Sequence, residues 1–181
     1  GCLGQALNGG VPAEGASCLW NPVLMGGRGL TGNYDYDDAE PFVVNPFHTG
    51  GTGARPHKDG LSATAFPSGV RSTPVEITET VAPLIFWRKE YLSDSGGPGE
   101  YRGGLGQVME ISHAGGAPFA ISKMFDRIHN PPRGRQGGQA GRPGRVYIKD
   151  GPDLKGMGRE VIPPGARVVL ETPGGGGIGD P

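Results

Sequence analysis

The chain has 181 residues, with 17 Lys and Arg against 18 Asp and Glu for a formal net charge of -1; this excludes a globally electrostatic role such as binding nucleic acid or an anionic membrane. Hydrophobic residues make up 35%, enough for the modest core of one domain, and the 36 glycines lack the period of three that collagen needs. No apolar run approaches the roughly 18 residues of a membrane span, no signal peptide opens the chain, and Cys2 and Cys18 do not make a disulfide scaffold, so a soluble cytoplasmic protein without a membrane role is expected.

In chain order, the sequence opens Gly1-Cys2-Leu3 without methionine and stops at Asp180-Pro181 directly after a four-glycine loop, a poor place for a domain to finish. A piece of a longer polypeptide, cut at both ends, is expected. GRGLTG from Gly27 to Gly32 has G-x-G-x-x-G spacing, but the acidic NYDYDDAEP that follows ends in proline and offers no helix to hold a pyrophosphate. It reads as a turn, and Asp35, Asp37, Asp38 and Glu40 as a solvated loop that lacks the glycine and distant glutamate of a calcium site.

HTGGTGARPHKDG from His48 to Gly60 concentrates His48, Thr52, Arg55, His57, Lys58 and Asp59, a density of polar groups suited to an anionic or amide substrate or to a charged surface turn. The four histidines, His48, His57, His113 and His129, have neither zinc-finger nor H-E-x-x-H spacing, so no metal site is assigned to this chain. There is also no Gly-Lys-Ser/Thr to reach an ATP phosphate and no G-x-S-x-G elbow.

Val75 to Val81 (VEITETV) alternates apolar and polar residues and predicts a strand, as do Gln107 to Ser112, Arg145 to Lys149 and Ala166 to Thr172. The longest runs free of glycine and proline are Leu84 to Ser95 and Phe119 to Asn130, so no helix of ordinary length fits elsewhere. The first half of LIFWRKEYLSDS reads as strand. The expected fold class is therefore α+β, rich in β structure with many Gly/Pro loops.

The densest glycine cluster, DSGGPGEYRGGLGQ, runs from Asp94 to Gln107. Glycine costs backbone entropy on folding, so such a cluster marks positive φ or close backbone approach. Tight turns at Gly96, Gly97 and Gly99 can bring Asp94 and Arg102 together, while Gly103 and Gly104 let the backbone approach a ligand or partner. Asp94 and Arg102 are the catalytic candidates. Ser95, Gly96, Gly97, Gly103 and Gly104 form the candidate substrate or partner loop, with His48, Thr52 and Arg55 second.

Seven cations fall between Lys123 and Lys149 against the single acid Asp126 before Lys149. The PPRGRQGGQAGRPGR core resembles RGG-type nucleic-acid segments in composition but lacks aromatics for base stacking. Arg133 and Arg135 are read as anion or interface residues, and a non-catalytic module using Arg133 to Arg145 is the reading of another class.

The order GGTGARPHKDG, PVEITETVAPL, FWRKEYLSDSGGPGEYRGGLGQ, NPPRGRQGGQAGRPG and TPGGGGIGDP resembles the carboxy-terminal part of the hydantoinase B family over nearly the whole chain. One departure is Pro163-Pro164-Gly165-Ala166, where the family usually has a Pro-Gly-Asp turn. The resemblance implies the B subunit of an ATP-dependent enzyme such as 5-oxoprolinase or N-methylhydantoinase, opening a small cyclic amide, or else a subunit of an ATP-dependent acetone or acetophenone carboxylase. It also implies a hetero-oligomer: ATP is bound by a hydantoinase A-like partner subunit, and a divalent metal (Mg, Mn or Zn) by an amino-terminal half outside these residues. Residues 1–181 alone would bind no cofactor and be catalytically incomplete.

Overall fold

A computed structural model describes residues 10–16, 20–27, 40–66 and 69–181. The turn expected at Gly27 to Gly32 and the acidic run from Asp35 lie outside them except for Gly27 and Glu40, as do Cys2 and Cys18. Eight strands and one helix follow in chain order: β1 (Val23–Gly26), β2 (Phe42–Val44), α1 (Val75–Val81), β3 (Leu84–Tyr91), β4 (Gln107–His113), β5 (Phe119–Met124), β6 (Arg145–Ile148), β7 (Met157–Ile162) and β8 (Val168–Glu171). They form two four-stranded antiparallel sheets, ordered β2-β1-β5-β7 and β3-β4-β8-β6. This is the β-rich α+β class that the sequence predicts.

Register explains the core. Across the first sheet, Phe42, Gly26, Phe119 and Ile162 form one row, and across the second, Lys89, Met109, Leu170 and Val146 form another. Phe42, Phe119, Ile162, Met109, Leu170 and Val146 all enter one buried cluster with Leu24, Ile111 and Ile121. Side chains at every second position thus share a face. Trp20 stacks on Phe125 in the same cluster, with ring centroids 4.2 Å apart and planes at 4°.

Against the second sheet lies a layer of extended glycine segments. Residues 173–178 are buried and run through its centre. The Gly175 N–H donates to the Gly104 carbonyl and the Gly97 N–H to Gly175, at 2.9 and 2.8 Å; the Gly176 N–H donates to Glu14 and the Ala54 N–H to Gly176, at 2.9 and 2.8 Å; the Arg135 N–H donates to Gly177 at 2.9 Å. Four segments distant in sequence therefore converge on one, each satisfying backbone groups that burial would otherwise leave unpaired. The packing is backbone against backbone: a Cβ on Gly103 would run into the Gly175 carbonyl, and one on Gly175 into that of Thr52. The three glycine clusters of the sequence are one structural unit.

One expected strand is a helix. Val75–Val81 is α1, following Pro74 at φ -59°. Proline fixes φ near the helical value and suits a helix start, while among the seven residues only Thr78 is buried, so the apparent alternation has no sheet to face. Glu79 then ties the helix to the following strand, its Oε1 accepting the Phe86 N–H at 2.7 Å.

Candidate functional site

The loop expected to carry Asp94 and Arg102 does join them. Arg102 Nη2 donates to Asp94 Oδ1 at 2.9 Å, with the side chains 49% and 91% exposed, and Asp94 reaches the pair from φ +55°, a conformation that aspartate tolerates better than most residues. The Arg102 backbone N–H donates to Asp59 Oδ1 at 2.8 Å, and the Gly60 N–H donates to the Arg102 carbonyl at 2.8 Å. Arg55 in turn donates from Nε and Nη2 to the Asp59 carbonyl at 2.9 and 2.7 Å. A continuous chain of bonds thus links Arg55, Asp59, Arg102 and Asp94 across two glycine loops. Asp59 is the hinge of this arrangement; sequence reading places it in the first loop but cannot show that its partner lies 43 positions away.

Arg55 borders a cavity of about 330 Å³ lined also by Pro12, Ala13, Thr52, Leu61 and Phe66. Its size and mostly apolar wall with one charged group suit a small organic ligand. The Thr52 hydroxyl accepts the Leu61 N–H at 2.7 Å and so shapes the wall. Arg55 is held by a carbonyl and has no ion-pair partner among the described residues, so its charge is available to a carboxylate or a polarised carbonyl oxygen.

The remaining candidates lie elsewhere. Ser95 is fully buried, donating to the Leu92 carbonyl at 2.6 Å and accepting the Gly106 N–H at 2.9 Å. Gly96, Gly97, Gly103 and Gly104 each meet a carbonyl oxygen where a Cβ would stand, so they pack the loop's base and leave its rim to Asp94 and Arg102. His48 is 1% exposed, bridged to Trp20 and near Phe86. Burial, with the nearby Lys89 charge, lowers its pKa to about 3, and neither ring nitrogen has a hydrogen-bond partner; the ring is neutral and enclosed.

The basic stripe is largely consumed within the fold. Arg133 donates from Nε and Nη2 to Glu14 Oε1 at 2.9 and 2.7 Å, and Arg127 Nη1 to Glu14 Oε2 at 2.8 Å. Burial alone would raise the Glu14 pKa, but bonds from Arg133 and then Arg127 outweigh it and hold the group at about 2. Lys123 pairs with Glu160, Arg142 with Glu171, Arg145 with Asp153 and Lys149 with Glu110. Arg135 engages the glycine layer through its backbone. Glu14 was invisible as an anchor from sequence; the only signal was a run of cations with almost no local acid.

Among the described residues no three His, Cys, Asp or Glu side chains gather as a metal site, and no helix is long and apolar enough to cross a membrane.

The family described as "Hydantoinase B/oxoprolinase" matches residues 1–181. The 5-oxoprolinase PfmaA of Pestalotiopsis fici is 33% identical over 73% of this chain, which covers 11% of that protein. The caprolactamase subunit beta of Pseudomonas jessenii is 31% identical over 72% of this chain, covering 24% of that protein, and the crystal structure of the ATP-dependent caprolactamase from that organism superposes with TM-score 0.71 at 22% identity, over 98% of this chain and 32% of that one. The nucleotide-free structure of an acetone carboxylase gives TM-score 0.70 at 22% identity, over 94% of this chain and 27% of that one. The chain thus spans a minor part of each relative's length, and it belongs to the hydantoinase B/oxoprolinase family.

Proposed function

We propose that these residues form the carboxy-terminal part of the B subunit of an ATP-dependent cyclic amide hydrolase, which opens a lactam or hydantoin ring. The observation that carries the reading is the family match over the whole chain; the names of two relatives, a 5-oxoprolinase and a caprolactamase, set the substrate class. An amide carbonyl is a poor electrophile, and phosphorylation of its oxygen by ATP supplies a leaving group. The absence of a Gly-Lys-Ser/Thr loop assigns ATP to a hydantoinase A-like partner, and the lack of clustered ligands among the described residues assigns any divalent metal to polypeptide outside them.

What this part contributes is position. Arg55 and the Asp94–Arg102 pair stand on loops whose bases are locked by glycine packing, and a rigid base lets a charged rim hold a substrate or partner at fixed geometry. In the complete gene product assembled with its partner, Asp94→Asn or Arg102→Lys should lower kcat/KM at least about tenfold, or about 1.4 kcal/mol of transition-state stabilisation, since lysine does not reproduce a guanidinium's planar fork. Wild-type kinetics in both variants would refute this site. The carboxylase alternative is tested in the same preparation: ATP- and bicarbonate-dependent consumption of acetone without ring opening would replace the hydrolase reading.

A further inference from the structure

The two sheets have outward faces of opposite character. On β3-β4-β8-β6 the outward rows are Glu90, Val108, Glu171, Arg145 and Arg88, Glu110, Val169, Tyr147. Their charges are paired: Glu110 with Lys149 and Arg167, Glu171 with Arg142, Arg145 with Asp153. This is a face built for water. On β2-β1-β5-β7 the corresponding row is Val43, Met25, Ala120, Val161, apolar from edge to edge. Beside it run Val23, Ser122, Arg159 and the pair Met124 and Met157, so Arg159 is the face's one charge. Val43, Met124 and Met157 are 64%, 83% and 67% exposed. A sheet face so composed, spanning from one edge strand to the other, marks an interaction surface.

We propose that this face is covered by the remaining polypeptide of the hydantoinase B-type subunit, which packs an apolar surface on it and sets a carboxylate against Arg159. Charge decides against a second copy of the same face: none of its nine residues is Asp or Glu, so face-to-face self-association would bury two Arg159 groups with no counter-charge from either face, a costly arrangement. Length decides for the same subunit: the fold accounts for only 27% and 32% of the two solved chains that share it. The inference rests on the proposed longer subunit. Its test is physical protection, so it can fail while ring opening by the complete enzyme stands.

In a Cys2→Ser, Cys18→Ser background, Val43→Cys and Met157→Cys report on this face and Glu90→Cys on the charged one. Maleimide labelling is compared between the 181-residue chain and the complete gene product purified without other subunits. The first two should label about tenfold more slowly, or slower still, in the complete product, with Glu90→Cys unchanged. Amide exchange over Met157 to Val161 in the unsubstituted proteins should show the same protection and does not depend on any variant folding. Equal labelling and exchange in both proteins would overturn the proposal. So would a dimer of the 181-residue chain, seen by sedimentation across a concentration series, that Met157→Lys dissociates.

Discussion

Glu14 receives two guanidinium groups and a backbone N–H, and its pKa falls from 4.5 to about 2. A carboxylate with a depressed folded-state pKa stabilises the folded chain fully above its unfolded value, and that contribution is lost as pH falls from 4.5 toward 2. Allowing for solvent screening at the exposed Arg133, it is worth on the order of 2 kcal/mol. Glu14→Gln should therefore lower the melting temperature at neutral pH, and thermal melts of variant and wild type should converge as pH approaches 2. A gap that stays constant across this range would show that the pairs are not the source. At the same scale, the Asp94–Arg102 pair is exposed, so it is worth at most about 1 kcal/mol to stability. Asp94→Asn should leave the melting temperature of the 181-residue chain nearly unchanged, which separates its effect on kcat/KM from any effect on folding.

Elements differ in how openly the sequence displays them. β4, β6 and β8 are legible because their apolar residues alternate and each is bounded by glycine, proline or charge. Three others are not. β1 and β2 have only four and three residues, and β7 carries Gly158 at φ +97°, so local propensity contradicts the ladder that tertiary pairing imposes. α1 was hidden by an alternation without a partner sheet. The glycine clusters announce ordered loops, but that they pack on one another depends on contacts between positions far apart, which no local pattern encodes. Their packing gives a sharp test. Gly175→Ala puts a methyl into the Thr52 carbonyl and should cost more than about 4 kcal/mol or abolish folding. Gly115→Ala meets nothing nearer than the His113 ring at 3.6 Å and should stay within about 1 kcal/mol of wild type. Denaturant unfolding of both compares them directly, and similar values would mean that the glycine layer is not tightly packed.

At the scale of the whole molecule, a sandwich core and a glycine layer hold two charged loops rigidly beside a cavity. This explains how a chain with so much glycine can be ordered: the segments donate and accept backbone bonds among themselves in place of side-chain packing. The candidate rim of Asp94 and Arg102 was legible because glycine spacing implies tight turns; Asp59 and Glu14 were not, since each acts through a long-range bond. Neither ATP chemistry nor metal ligation is expected from these residues by themselves, so the purified 181-residue chain with ATP and magnesium should open no 5-oxoproline. The most direct measurement of the central claim is ring opening of 5-oxoproline to glutamate, followed together with ADP release, by the complete gene product with and without its hydantoinase A-like partner. Coupled turnover only when both are present is the predicted result; turnover by the 181-residue chain alone, or none with 5-oxoproline, hydantoins and caprolactam alike in the complete assembly, would contradict it.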